Sequence, residues 1–428
     1  MKSLLKKIIT IVIEAEARAV LRKYRPIIIA ITGSVGKTST KDAIYTVLSS
    51  GPARVRKSQK SFNSEIGVPL TILGCGNAWS DPLGWIENIF HGLELIFFKS
   101  NYPDTLVLEV GADHPGDVRR TASWVRPDVA VITKVSAIPV HIEFFPTRED
   151  LLKEKTYLAL ALKKGGTLVL SEDDEDVRNI PAQMPAGVDA KVITFGLKHS
   201  ATVNASHEAV TYEERDGMRF PTGMSFRLNH RGNSVPVFVR GVLGIQHIYP
   251  LAAAAAVGIS RGIVLTNIIE AVQKHIPPRG RMNVLEGMNN SVIIDDTYNS
   301  SPDAVREALT TLGKIETTGR KIAVLGDMME LGKYSIEEHK RAGTLARQMA
   351  QVLVTVGQRS KIMEGDAAFD TSLEAAEYVK GIVGKGDIVL VKGSQSMRME
   401  RITKALLPEG ARAEDLLVRQ EEEWLARK

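Results

Sequence analysis

"ITGSVGKTSTKDAI", Ile31 to Ile44, is the stretch on which the reading of this chain turns. The general phosphate-loop pattern G-x-x-x-x-G-K-[ST] would set its first glycine at position 31, but Ile31 stands there and Gly33 comes three residues before Gly36. The shorter spacing leaves the physics intact. A phosphate needs backbone N–H groups at a helix N-terminus and glycines that let the backbone come close. Upstream, Ile27 to Ile31 is fully apolar and rich in β-branched residues, as a buried parallel strand is. Downstream, "KTSTKDAIYTVLSS" reads as a helix ending near Gly51. Strand, glycine turn and helix together are the context a phosphate loop requires. Gly33, Ser34, Val35, Gly36, Lys37, Thr38 and Ser39 are therefore candidate nucleotide contacts. Lys37 would neutralise phosphate charge as a catalytic group, and the Thr38 hydroxyl would ligate Mg²⁺. The plain alternative is a tight strand–helix turn with a chance Gly-Lys-Thr.

Beyond the loop, "TLVLEVG", "VAVITKV" and "TLVLS" are further strand candidates, separated by helical segments such as Arg148 to Lys163. That alternation predicts a doubly wound α/β domain. Glu109 ends one of these strands, where a Mg²⁺ ligand beside a phosphate loop is wanted; a carboxylate bonded to a nearby turn is the structural alternative. Asp113, His114 and Asp117 read as loop and helix-cap residues. From about Gly187 to Val239 the pattern changes to alternating strands with polar turns, read as a β-rich part of the same domain. "IPPRGRM", at Ile276, is the best linker in the chain. A second α/β unit follows it, with strand candidates "SVIIDDTYN", "KIAVLGD", "QVLVTVG" and "DIVLVKG". Each ends in polar or glycine residues, at the carboxyl edge where such sheets bind ligands. The fold expected is thus α/β throughout: a central P-loop ATPase domain over 27–278 with a mostly parallel sheet, and a Rossmann-like α/β domain over 279–428.

The bulk numbers agree. A chain of 428 residues exceeds what one core supports, so two or three domains are expected. With 44% hydrophobic and 25% charged residues the composition is that of a globular protein, neither disordered nor polytopic. A formal charge of +5 without a long Lys/Arg block does not point to nucleic acid. The lone Cys75 excludes an intramolecular disulfide and a cysteine metal cluster, and fits a reducing, cytoplasmic compartment. Residues 1–26 read as a separate N-terminal helix, with Leu4, Ile8, Val12 and Ala15 along one side. Its apolar run is far short of a membrane span. The helix is expected to pack on the next domain, with peripheral membrane contact as the alternative.

His141 and Lys155 are unremarkable alone and gain meaning from the whole pattern. "TGSVGKTST", "EVGADHPGD", "VHIEFF" with "KEKTYL", "GRM", "DDTYNSSPD", "VLGDMMELG" and "KGSQSMRME" occur in this order. The series resembles the Mur ligases, and within them the MurF type that joins D-alanyl-D-alanine to a UDP-N-acetylmuramoyl tripeptide. The resemblance runs from about Ile27 to about Leu406 and implies an ATP-dependent ligase working through an acyl phosphate, with ATP and Mg²⁺ as cofactors. It implies that Lys37, Thr38, Glu109 and His141 serve phosphates and metal, and that Lys155 is the family's carbamylated lysine, also a metal ligand. Arg281 would reach the ATP phosphates, and Asp296 and Asn299 the ribose and base. Asn63, Asp327, Lys392 and Ser394 are candidates for holding substrate, with turns and helix caps as the alternative for the last three.

In place of the family's N-terminal sugar-gripping domain the chain shows only the helix before Pro26, and Lys134 and Gln395 depart from the family's usual residues. The expected partners are small molecules, the muramoyl peptide and D-alanyl-D-alanine, acted on by a monomer. A folate-polyglutamate or cyanophycin-like ligase, or a non-catalytic nucleotide-binding partner, are the other readings.

Overall fold

In the computed structural model, which describes residues 2–59, 62–79, 81–136, 144–145, 147–186, 189–215 and 217–426, the apolar run before the glycine turn is strand β1 (Ile27–Thr32). Parallel neighbours surround it: β2 (Val55–Lys57), β3 (Thr105–Glu109), β4 (Val129–Ile132), β5 (Gly166–Ser171) and β6 (Ala190–Gly196), in the order β2-β3-β1-β4-β5-β6. Residues buried on both faces explain why these strands are apolar without alternation. Ile31 pairs with Glu109 on one side and Val131 on the other. The chain therefore leaves β1 at the carboxyl edge, next to the only acid of β3.

Helices cover both faces of this sheet. On one side α1 (Lys2–Tyr24), α3 (Gly67–Leu73) and α4 (Pro82–Phe97) share a core with β1 and β3 through Ile13, Val20, Leu70, Trp85, Leu95 and Leu106. On the other, α5 (Asp117–Val125) and α6 (Arg148–Leu160) bury Val118, Ala122, Leu151 and Leu158 against Ala130 and Leu168. Each such aliphatic side chain contributes about 1.5–3 kcal/mol relative to exposure. The loop opens α2 (Lys37–Ser49). Helix α6 stops at Leu160, short of the expected Lys163.

Helix α1 packs, as expected, but on a different side. Ile13, Ala17 and Val20 are buried, whereas Ile8 is 49% and Ile11 65% exposed. The sequence pattern was ambiguous because α1 carries two apolar stripes, and only the one at Ile9, Ile13, Ala17 and Val20 faces the core. Glu16 is buried with it, neither carboxylate oxygen having a hydrogen-bond partner. Burial raises its pKa to about 7. The folded state then holds a proton that the unfolded state releases near the usual carboxylate pKa of 4.5. Stability contributed by the neutral form is complete below that value and is lost as pH rises to about 7. Glu16→Gln is expected to remove this slope and to stabilise the protein by roughly 1–3 kcal/mol at pH 8. Denaturant melts of both proteins at pH 5 and pH 8 check it, and parallel pH dependence would refute it.

Three long strands continue the chain: β7 (Val203–Arg215), β8 (Met218–His230) and β9 (Asn233–Arg240). The chain divides into two compact units, Met1–Ala205 with Leu228–Val235 and Tyr249–His275, and Ser206–Arg227 with Pro236–Ile248 and Ile276–Lys428. Parts of the β-rich stretch assigned by sequence to the first domain thus cluster with the second unit. The N-terminal helix, expected as a separate segment, clusters with the first. The last division falls between His275 and Ile276, at the start of "IPPRGRM".

The second unit has its own sheet, formed by β10 (Asn283–Gly287), β11 (Ser291–Asp296), β12 (Lys321–Gly326), β13 (Val352–Val356), β14 (Ala367–Phe369) and β15 (Ile388–Lys392). The order is β10-β11-β15-β12-β13-β14, with only β10 antiparallel to its neighbour. Strand order reverses around β15, so the carboxyl ends of β11, β15 and β12 lie together, as at the switch point of a Rossmann-like sheet. Behind this edge Glu400, only 1% exposed, is held between the guanidinium groups of Arg398 at 2.5 Å and Arg419 at 3.1 Å.

Candidate active site

The phosphate loop is shaped by contacts that demand its glycines. Gly33 has φ +148°, and a Cβ there would lie 1.8 Å from Thr133 Oγ1. Gly36 adopts the left-handed conformation that starts α2. The Thr133 hydroxyl donates to Val35 O at 2.8 Å, and Ser34 N–H to Lys134 O at 2.8 Å, tying the loop to the end of β4. Lys37 Nζ curls back to donate to Gly33 O at 2.8 Å. Lys155 Nζ, from α6, donates to the same carbonyl at 3.0 Å. Two amines on one carbonyl, beside a buried Ser34 hydroxyl with no hydrogen-bond partner, make a place where an anion offsets charge and completes hydrogen bonding.

Glu109 lies at the end of β3 and is almost wholly buried. Thr38 Oγ1 donates to its Oε2 at 3.0 Å and Asn63 Nδ2 to its Oε1 at 3.0 Å. Gly111 N–H donates to Asn63 O at 2.8 Å. Asn63, singled out as a substrate candidate, thus orients the carboxylate. Lys41, one turn beyond Lys37, is buried with its amine 3.8 Å from Glu109 and 3.6 Å from Asp42. Burial pushes the Lys41 pKa down, opposed by the charges of Asp42 and Glu109. Lys41 and Thr133 were missed by sequence. The i, i+4 spacing of Lys37 and Lys41 was the available signal for the first, and nothing local marked the second.

Lys155 is 3% exposed. Burial, and next the neighbouring Lys37 charge, hold its pKa well below the usual lysine value, against the pull of Glu154 and Asp113. Glu154 precedes it on α6 and accepts the N–H groups of Gly116, Val118 and Arg119, capping the first turn of α5. Thr147 caps α6 itself by accepting Asp150 N–H. His141 lies outside the described residues.

In the second unit, Asp296 and Lys392 form a buried ion pair at 2.7 Å, and Lys392 Nζ also donates to Asn299 O at 2.9 Å. Residues assigned separately to ribose and to amino substrate are therefore brought together. Asp327 accepts Ser360 N–H at 2.7 Å, and Ser394 Oγ accepts Met329 N–H at 2.8 Å. Both knit the strand-end loops together, the turn role weighed for them from sequence. The Arg281 guanidinium stacks 4.2 Å from the Tyr298 ring centroid, and the His247 ring meets Arg281 O at 2.7 Å.

Comparison with known proteins fits this geometry. Residues 31–83 and 87–258 match the Mur ligase middle domain, and residues 280–395 the Mur ligase, glutamate ligase domain. A Mycobacterium leprae protein named UDP-N-acetylmuramoyl-tripeptide--D-alanyl-D-alanine ligase is 30% identical over 414 residues, covering 90% of this chain and 74% of the relative. Its Bacillus subtilis namesake is 27% identical, covering 91% and 78%. The crystal structure of the MurF ligase from Thermotoga maritima in complex with ADP superposes with a TM-score of 0.75 at 26% identity, covering 93% of this chain and 83% of that one. With both domain models matched, and the loop tied to Glu109 through Thr38 and to Lys155 through Gly33 O, the chain belongs to the Mur ligase family.

Proposed function

We propose that this ligase joins D-alanyl-D-alanine to a UDP-N-acetylmuramoyl tripeptide at the cost of ATP, in the cytoplasm. A carboxylate oxygen of the tripeptide attacks the γ-phosphorus and ADP leaves. The amine of the dipeptide then attacks the acyl carbon, loses its proton, and expels phosphate from the tetrahedral intermediate. Carboxylate, amine and ATP become amide, ADP and phosphate. The observation that carries the reading is the Gly33 carbonyl shared by Lys37 and Lys155, within a chain of this family. Charge spread over phosphoryl oxygens is what the Lys37 amine and the α2 N-terminus stabilise, and positioning does the rest.

The donor set fits Mg²⁺: a threonine hydroxyl and a carboxylate are hard oxygen ligands, and magnesium bound with nucleotide needs only one or two from the protein. Thr38 and Glu109, with His141 and a carbamylated Lys155, would hold it, and it would neutralise phosphate charge. The lowered pKa of Lys155 favours the neutral amine that reacts with CO₂. Arg281, Asp296 and Asn299 are assigned to the nucleotide and Asp327, Lys392 and Ser394 to the amino substrate on family grounds.

Purified protein with ATP, Mg²⁺, the UDP-muramoyl tripeptide and D-alanyl-D-alanine is expected to release phosphate only when all are present, with turnover rising on added bicarbonate. Release driven instead by a folate or another carboxylated acceptor would replace this substrate assignment, and release with no acceptor dependence would end the ligase reading.

A further inference from the structure

Helix α4 has an outer face that no described residue of the first unit covers. Leu83, Ile86, Phe90, Leu93 and Phe97 recur at intervals of three and four residues, so they form one stripe along the helix. All five are exposed, Phe97 by 75%. Phe98 extends the stripe at its end. The inner face is spent on the core through Trp85 and Leu95. Helix α1 lies against α4 and runs the same way: Glu16 sits beside Gly92, while Lys23 and Tyr24 near its end donate to Leu95 O and Phe98 O. It adds its unburied stripe, Ile8 and Ile11. A monomer in water rarely leaves so many large apolar side chains together.

The charges select the occupant. Arg22, Arg25 and Lys99 are exposed at the end shared with Phe97 and Phe98, and Lys7 is exposed toward the other end of α1. A second copy docked basic end on basic end would set like charges together, and only the reverse arrangement, with the basic end on Lys7 and Asp81, would mix signs. An anionic bilayer meets every one of these cations with attraction. Glu87 and Glu94 lie beside the stripe and are exposed, so their carboxylates can stay in water. No described helix is long and apolar enough to cross a membrane, so the face suits adsorption in the interfacial plane, with aromatic rings at headgroup depth.

We propose that α4, with the outer stripe of α1, docks this protein on an anionic lipid surface. This role is independent of the reaction assigned above. The test is sedimentation of the full chain with vesicles of phosphatidylcholine alone, or with about one-quarter phosphatidylglycerol, at low and high salt. Wild type should bind the mixed vesicles at least about tenfold more tightly than the neutral ones, and high salt should weaken that binding. The double variant Phe90→Ser, Phe97→Ser should lose about tenfold in binding to mixed vesicles while keeping its circular dichroism and melting midpoint, since both rings are exposed. Arg22→Glu with Lys99→Glu should abolish the preference for anionic vesicles. Failure of wild type to bind, or equal binding by the Phe90/Phe97 variant, overturns the proposal. So does a wild-type dimer in light scattering that the same variant dissolves without any vesicle binding, which would assign the face to a second copy.

Discussion

Lys37→Ala is expected to lower acceptor-dependent phosphate release by roughly 10²–10³-fold, the range seen when one preorganised charge stabiliser is removed. Its amine points along the loop to Gly33 O, where phosphate oxygens approaching the α2 N-terminus would compete for it. The loop itself should survive, because Lys155, Thr133 and the Ser34 bond to Lys134 O still hold it. The prediction therefore separates function from folding: turnover collapses while the melting midpoint moves little. Phosphate-release kinetics with an accompanying melt check it. Unchanged turnover would remove the loop from the chemistry, and a collapsed melt would mean that Lys37 is structural.

Glu400→Gln should destabilise the second unit by about 3–5 kcal/mol, the cost of leaving buried charges uncompensated. Arg398 and Arg419 are both nearly buried. Their other hydrogen-bond acceptors are neutral carbonyls, Trp424 O for Arg398 and Thr297 O and Tyr298 O for Arg419, and both lie over the neutral Trp424 ring. Glutamine keeps the shape and one acceptor but not the charge. Urea unfolding, followed for two transitions because the chain has two units, should show the loss in one of them. A loss under about 1 kcal/mol would mean that solvent reaches the cluster. Since Arg419 holds the carbonyls of Thr297 and Tyr298, the substitution should also loosen the segment that follows β11.

The sequence was most informative where a local rule and a long-range need coincide. Ile27 to Ile31 reads and folds as a buried parallel strand, and Gly33 and Gly36 take the positive φ that the glycine turn requires; the pattern alone made both visible. Glu109 was legible because a strand ending beside the loop is a predictable place for an acid. Lys41 and Thr133 were not, because their importance comes from neighbours that only the sheet brings near. The Asp296–Lys392 ion pair escaped for the same reason, joining neighbouring strands that lie far apart along the sequence. Helix α1 shows the opposite limit. Its residues offered two apolar stripes, and no rule of periodicity could say which one the first unit would claim.

Adjacent residues of α6 fasten two different elements: Glu154 the start of α5, Lys155 the phosphate loop. Successive positions on a helix are turned by about 100° from each other. Deleting or inserting a single residue between Arg148 and Glu154 would therefore swing both side chains away from their targets at once, whatever the new residue was. Length in that segment is under tighter constraint than identity. Related chains should accept changes of side chain along the outer face of α6, but tolerate gaps only after Leu160, where the helix has ended and no further residue has to keep its angle.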